Sequence, residues 1–163
     1  MHKLLSFFDK HIPSASAHCD IPCGIYDPAT AQIAALTAIR MIDQINELAE
    51  KGELSLADQA KLGRLVAEKE SHCNKAKEEV RIIWGDYFKA PQFEKFPGTH
   101  ELAHNIMLQG SKVRQHIDRD MAVEFLNLIN QFAENFWASK GVDTFTATCP
   151  YAPAEQVVYP KLG

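Results

Sequence analysis

The sequence predicts an all-α fold: an up-and-down four-helix bundle with a flexible N-terminal hook and an extended C-terminal arm. Three observations carry this. Apolar residues recur at three- and four-residue spacing in four separate stretches. Those stretches are bracketed by capping residues and glycines, and no stretch alternates apolar with polar as a half-buried strand would. An amphipathic helix cannot bury its stripe alone, and four of them do so together.

The first helix is expected to start at Tyr26-Asp27-Pro28, with Asp27 as N-cap and Pro28 at the first helical position. Ile33, Ala38, Met41/Ile42, Ile45 and Leu48/Ala49 form its stripe, and Lys51-Gly52 ends it. Ser55-Leu56-Ala57-Asp58 resembles a capping box with Asp in the usual Glu place, and announces a long second helix. Its stripe runs Leu62, Leu65/Val66, Cys73, Ala76, Val80, Ile83/Trp84 and Tyr87, and also carries Lys69 and His72. Pro91 and Pro97 bracket a link read as irregular. Thr99 is expected to cap the third helix, with Leu102/Ala103 and Ile106/Met107 facing inward and Gly110 interrupting it. Asp118 is expected to cap the fourth, with a stripe of Met121/Ala122, Phe125, Leu128/Ile129, Phe132 and Phe136/Trp137, closed by Gly141. Residues 142–163, with three prolines, read as an extended arm.

Composition supports one domain. A chain of 163 residues buries roughly 70% of the surface its unfolded form exposes, so a core needs neither metal nor disulfide to hold it. Hydrophobic residues at 46% and charged residues at 23% are ordinary globular values. The formal charge of −4 leaves no basic footprint for nucleic acid. Four cysteines (Cys19, Cys23, Cys73 and Cys149) are too few for a disulfide scaffold. Cys73 sits on an apolar stripe and reads as an inert buried thiol; Cys149 is either free or paired between subunits.

Residues 1–17 read either as a removable leader or as a frayed N-terminal tail. Their longest apolar run, Leu4-Leu5-Ser6-Phe7-Phe8, is shorter than the roughly 7–15 residues of a secretory signal. No later run approaches the roughly 20 apolar residues of a membrane span. A cytoplasmic, membrane-free protein is therefore expected. Ala15-Ser16-Ala17 has the small-x-small pattern that processing proteases accept, and a cut after Ala17 makes His18 the N-terminus.

The chemistry is concentrated in residues 18–26, His18-Cys19-Asp20-Ile21-Pro22-Cys23-Gly24-Ile25-Tyr26. If His18 carries a free amine, then amine, imidazole, the Cys19 amide nitrogen and two thiolates crowd together. The amine and the Cys19 amide nitrogen close one five-membered chelate ring, and that nitrogen with its own sulfur closes another. Cys23 returns through a turn helped by Pro22 and Gly24. A planar N,N,S,S set suits Ni(II) or Cu(II), whereas zinc prefers a tetrahedron. The competing reading is a pair of reduced thiols, or a redox sensor.

The same nine residues closely resemble the hook motif of the nickel superoxide dismutase family, His-Cys-x-x-Pro-Cys-Gly-x-Tyr. Trp84-Gly85-Asp86-Tyr87-Phe88-Lys89 and Phe93-Glu94-Lys95-Phe96-Pro97 resemble the family's second block, and the likeness extends over most of residues 27–141. The resemblance implies a four-helix bundle made as a precursor with a removable leader, assembled as a homohexamer, with one nickel ion per subunit. It implies that His18 and Cys19 supply nitrogens, Cys19 and Cys23 supply sulfurs, and the His18 imidazole is axial ligand of the oxidised metal. Tyr26 would order water and the incoming superoxide, with Tyr87 nearby and Asp20 and His72 as supporting residues. Lysines such as Lys89 would shape the field for an anionic substrate. One departure is visible. Where better-known members orient the axial imidazole with a Glu and an Arg, this chain has Ala34 and His72. His72 is either satisfied by a backbone carbonyl or replaces that pair, with Glu68 one turn before it.

A rival motif is His100-Glu101-Leu102-Ala103-His104, the HExxH pattern of zinc peptidases. Position 107 is Met rather than the Gly of the metzincin extension, and no strand context accompanies the motif.

Overall fold

The computed structural model describes residues 23–163. The expected leader, the expected ligands His18 and Cys19, and Asp20 lie outside the described residues. Helices α1 (Ala29–Ala49), α2 (Leu56–Ile82), α4 (Thr99–Gln115) and α5 (Arg119–Ser139) form the bundle. A short helix α3 (Ala90–Lys95) lies between α2 and α4, and strands β1 (Thr144–Thr148) and β2 (Gln156–Pro160) come after α5. Neighbours in the ring are α1–α2, α2–α4, α4–α5 and α5–α1, as in an up-and-down bundle.

The caps largely match the sequence. The Asp27 carboxylate accepts from the Ala29 amide at 2.8 Å, but the cap position before α1 is Pro28, one residue later than expected. Ser55 and Asp58 make the reciprocal capping box, and Asp58 also pairs with Lys51 at 2.7 Å. These bonds hold the Asp58 carboxyl at about 2, below its ordinary value. Asp58 thus takes the role that a longer carboxylate usually fills. Asp118 caps α5 through the Met121 amide at 2.9 Å. Gly52 and Gly141 close α1 and α5 with φ of +77° and +73°, a region costly for other residues.

One core runs the length of the bundle. Ile39 and Ile42 of α1, Cys73, Ala76 and Val80 of α2, Ile106 of α4 and Phe125, Phe132 and Phe136 of α5 are fully buried. Burying each phenylalanine is worth about 2–3 kcal/mol. A smaller cluster, Ile45, Leu48 and Leu65, closes the far end.

Several expectations are corrected. Gly110 does not interrupt α4. A Cβ there would lie 2.9 Å from Lys77 Cδ and from two atoms of the Phe125 ring, so the glycine is a point of close approach between packed elements. Thr99 does not cap α4; its hydroxyl donates to the Phe96 carbonyl at 2.8 Å, and Gly98 precedes the helix. The proline-bracketed link contains α3, with Pro91 in its first turn, where a missing N–H costs nothing. Trp84 is exposed rather than part of the core stripe.

The tail is a hairpin rather than an extended arm. β1 and β2 pair antiparallel, Thr146 opposite Val158. Val157 and Val158 are consecutive and both buried, because β2 lies against the helices; such a strand shows no alternation. Gln32 Nε2 donates to the Val158 carbonyl, Asn130 Nδ2 to the Gln156 carbonyl, and the Val158 amide donates to Asn130 Oδ1. Arg119 ties the hairpin to α1, with Asp43 on one side and Glu155 on the other at 2.9 and 2.5 Å.

Lys69 is the largest buried polar residue. Its ammonium donates to the carbonyls of Val113, Arg114 and His116, at 2.8, 2.7 and 2.7 Å. These lie at the end of α4, where helical carbonyls lose their partners. A cation at a helix C-terminus also matches the dipole. Burial lowers the lysine's pKa.

Candidate metal centre

α2 ends in a wider turn, Ile83–Tyr87, in which the Phe88 amide reaches back five residues to the Ile83 carbonyl at 3.2 Å. Such a turn adds a residue to the helix and redirects the chain beyond it. Tyr87 therefore lies on this turn rather than on the regular part of the long helix. Its ring meets the Tyr26 ring at 5.7 Å between centroids and the Phe136 ring at 4.8 Å. The start of α1, the end of α2 and the end of α5 converge here.

The hydrogen bonding of Tyr87 can be assigned. The Ser139 hydroxyl donates to the Phe136 carbonyl at 2.6 Å, so its hydrogen is used. The phenol, 2.7 Å from Ser139 Oγ, is therefore the donor of that pair. The Lys140 ammonium sits 4.7 Å above the Tyr87 ring and 5.2 Å from that of Phe136. Sequence reading missed both Ser139 and Lys140. Only their position just after the Phe136-Trp137 pair could have suggested them. Lys89, expected to shape the field, is exposed and donates to the Gly85 carbonyl at 3.3 Å.

Cys23 is an exposed free thiol at the lead into α1, with Gly24 next to it at φ +68°. An accessible sulfur three residues before Tyr26 fits the thiolate that a soft metal site requires. Cys73 differs: it is buried, and desolvation pushes its thiol up to about 11. Cys149 is buried too and donates to the Tyr151 carbonyl at 3.2 Å, which disfavours its pairing between subunits.

His72 is half-buried. Its Nδ1 lies 2.9 Å from the Glu68 carbonyl and 3.5 Å from the Glu68 carboxylate, so the histidine and the glutamate one turn earlier do meet. Ala34 is buried and offers no polar atom.

The rival motif does not assemble. The Trp84 indole donates to His100 Nδ1 at 3.1 Å, and the His100 ring stacks on Phe93 at 3.9 Å. With Nδ1 accepting, the neutral ring carries its proton on Nε2 and presents a donor where zinc needs a lone pair. Among the described residues no group of three or more His, Cys, Asp and Glu is placed to hold a metal. Among them, too, no helix is long and apolar enough to cross a membrane.

Comparison with known proteins gives one answer. A family model described as nickel-containing superoxide dismutase matches residues 13–140. A superoxide dismutase [Ni] of Streptomyces coelicolor is 35% identical over 127 residues, covering 78% of this chain and 91% of that protein. Its counterpart from Streptomyces seoulensis is 34% identical over 125 residues, covering 77% and 89%. The native structure of a nickel superoxide dismutase superposes with a TM-score of 0.65 at 33% identity, covering 76% of this chain and 99% of that one. A structure of a nickel-containing superoxide dismutase after partial X-ray-induced reduction gives a TM-score of 0.67 at 31% identity, with the same coverage.

Proposed function

This chain belongs to the nickel-containing superoxide dismutase family, and from that premise we propose that residues 18–26 form its reactive hook. It is a nickel-dependent superoxide dismutase, an oxidoreductase that converts superoxide to oxygen and hydrogen peroxide. The hook forms when a processing protease cuts after Ala17. His18 then offers its amine and imidazole, Cys19 its amide nitrogen and thiolate, and Cys23 its thiolate. When bound, nickel supplies the one-electron chemistry, alternating between Ni(III) and Ni(II). The active chain is a cytoplasmic homohexamer, a reading that rests on the family resemblance.

The described residues serve this reaction by positioning and by charge. The Tyr26–Tyr87 contact fixes where the hook joins the bundle. Tyr26 orders water and the incoming anion. Tyr87 points its proton at Ser139 and so acts as a support for Tyr26 rather than as a proton donor to the substrate. On a chain of net charge −4, the Lys140 ammonium over Tyr87 places a positive charge at the end that superoxide must approach. His72, with Glu68 behind it, stands in for the missing Glu–Arg pair beside the His18 imidazole. Asp20 supports the loop between the two thiolates.

The observation that carries the reading is the exposed Cys23 thiol three residues before the Tyr26–Tyr87 contact. Mass spectrometry and metal analysis of the active protein test it. The expected result is an N-terminal His18, about one nickel per chain as one hook per chain implies, and loss of both nickel and activity in Cys23→Ser with helical content kept. Full activity with Met1 intact, or in Cys23→Ser, overturns it.

A further inference from the structure

The hairpin lies outside the region that matches the family, and its two edges differ. The Cys149 amide donates to the Glu155 carbonyl at 2.9 Å, and the Lys161 amide to the Asp143 carbonyl at 2.8 Å. These two pairs bracket the ladder in the register of Thr146 opposite Val158. Antiparallel pairs alternate between hydrogen-bonded and non-bonded. The bonded pairs inside the hairpin are therefore Phe145–Tyr159 and Ala147–Val157. The backbone groups of Gln156 and Val158 point away from β1, and those of Thr144, Thr146 and Thr148 point away from β2.

Three outward groups at the centre of β2 are taken. Gln32 and Asn130 side chains pair with the Val158 amide, the Val158 carbonyl and the Gln156 carbonyl, so two side-chain amides from α1 and α5 close that edge. β1 has no such cover among the described residues: no side chain of theirs bonds the backbone of Thr144, Thr146 or Thr148, and Thr146 and Thr148 are exposed. The strand Thr144-Phe145-Thr146-Ala147-Thr148 also lacks the usual protections of an open edge: it has no charge, no proline and no bulge.

We propose that the β1 edge pairs with the β1 edge of a second copy of this chain, antiparallel about a two-fold axis at Thr146. In that register Thr146 faces its own counterpart and Thr144 faces Thr148. All three pairs are of the bonded kind, because their N–H and C=O groups already point outward. Thr144, Thr146 and Thr148 side chains share one face, so the joined edges set threonine beside threonine, a favourable cross-strand pairing. No like charges oppose one another within the paired strands. This self-complementarity favours a second copy over a foreign strand, which would need its own matching register.

A five-residue edge is small beside the roughly 1,200–2,000 Å² of a stable interface. The contact therefore links copies that other surfaces also hold, or pairs them reversibly at high concentration. Phe145, within β1 and 45% exposed, adds apolar area to the contact.

Residue-resolved amide exchange of the intact nickel-loaded protein at low and high concentration tests this, with sedimentation run in parallel. Pairing slows exchange at Thr144, Thr146 and Thr148 by at least about tenfold as concentration rises, whereas unpaired edge amides stay fast. Thr146→Pro removes an outward N–H without touching the hairpin's own ladder, and Thr146→Lys places like charges across the axis. Both variants are expected to abolish the concentration-dependent protection and lower the sedimenting mass at high concentration, with helical content and dismutase activity kept. Fast exchange at all three threonines in the wild type at every concentration overturns the proposal, even where a family-type hexamer forms. Unaltered protection in Thr146→Lys overturns it as well, and so does protection independent of concentration in a monomer.

Discussion

Tyr26 and Tyr87 face each other at 5.7 Å between ring centres, their planes inclined by 53°, joining the lead into α1 to the turn that ends α2. Tyr87→Phe keeps the ring and loses only the phenol–Ser139 bond. It should cost about 1 kcal/mol. Tyr87→Ala also opens a gap against Phe136 and should cost about 3 kcal/mol. Urea denaturation measures both. Equal losses in the two variants would show that the aromatic contact contributes nothing.

The cysteines should separate by reactivity. At pH 8 an alkylating reagent on apoprotein should modify exposed Cys23 at once and buried Cys73 and Cys149 only on unfolding. Peptide mapping over time reads this directly. Cys73 also predicts an alkaline slope. Its thiol goes from 9.0 when unfolded to about 11 in the fold, so between those values the native state keeps a proton that the unfolded state releases. Stability falls as pH rises through that window, by up to about 2–3 kcal/mol. Comparison with Cys73→Ala isolates the effect, because buried Lys69, with a lowered pKa, titrates in the opposite sense.

Asp58 predicts an acid effect. Its carboxyl is lowered from 3.8 to about 2 by Lys51 and Ser55, so its contribution is present above its unfolded value and disappears as pH falls through the folded one. Asp58→Asn should melt below wild type at pH 7 and together with it near pH 2. A gap that persists in acid would mean that the capping box does not depend on the charge.

Gly110→Ala drives a methyl to within 2.9 Å of Lys77 and Phe125. Overpacking of this kind costs about 1–3 kcal/mol. Thermal unfolding should show a lowered midpoint with unchanged helix content below it. An unchanged midpoint would mean that the Lys77 chain moves aside freely.

The bundle was legible because its signals are local. Ser55, Asp58, Asp118, Gly52 and Gly141 mark helix ends through chemistry confined to one turn, and the phenylalanines of α5 repeat at helical spacing. What sequence hid depends on partners far along the chain. Gly110 reads as a break until Phe125 is seen behind it. Val157 and Val158 read as part of an extended arm until Gln32 and Asn130 close the edge beside them. Tyr26 and Tyr87 were identifiable from motifs, but Ser139 and Lys140 gain meaning only where α5 ends against Tyr87. Lys69, conspicuous on an apolar stripe, needed the carbonyls at the end of α4 to explain it.

The wider turn at Ile83–Tyr87 sets which length changes this stretch tolerates. It takes up one residue more than an ordinary helical turn for the same sweep around the axis, so loss of one of the exposed residues Trp84, Gly85 or Asp86 restores ordinary winding and leaves Tyr87 facing Tyr26. A further insertion has no such turn to absorb it and would swing Tyr87 by about 100° away from Tyr26.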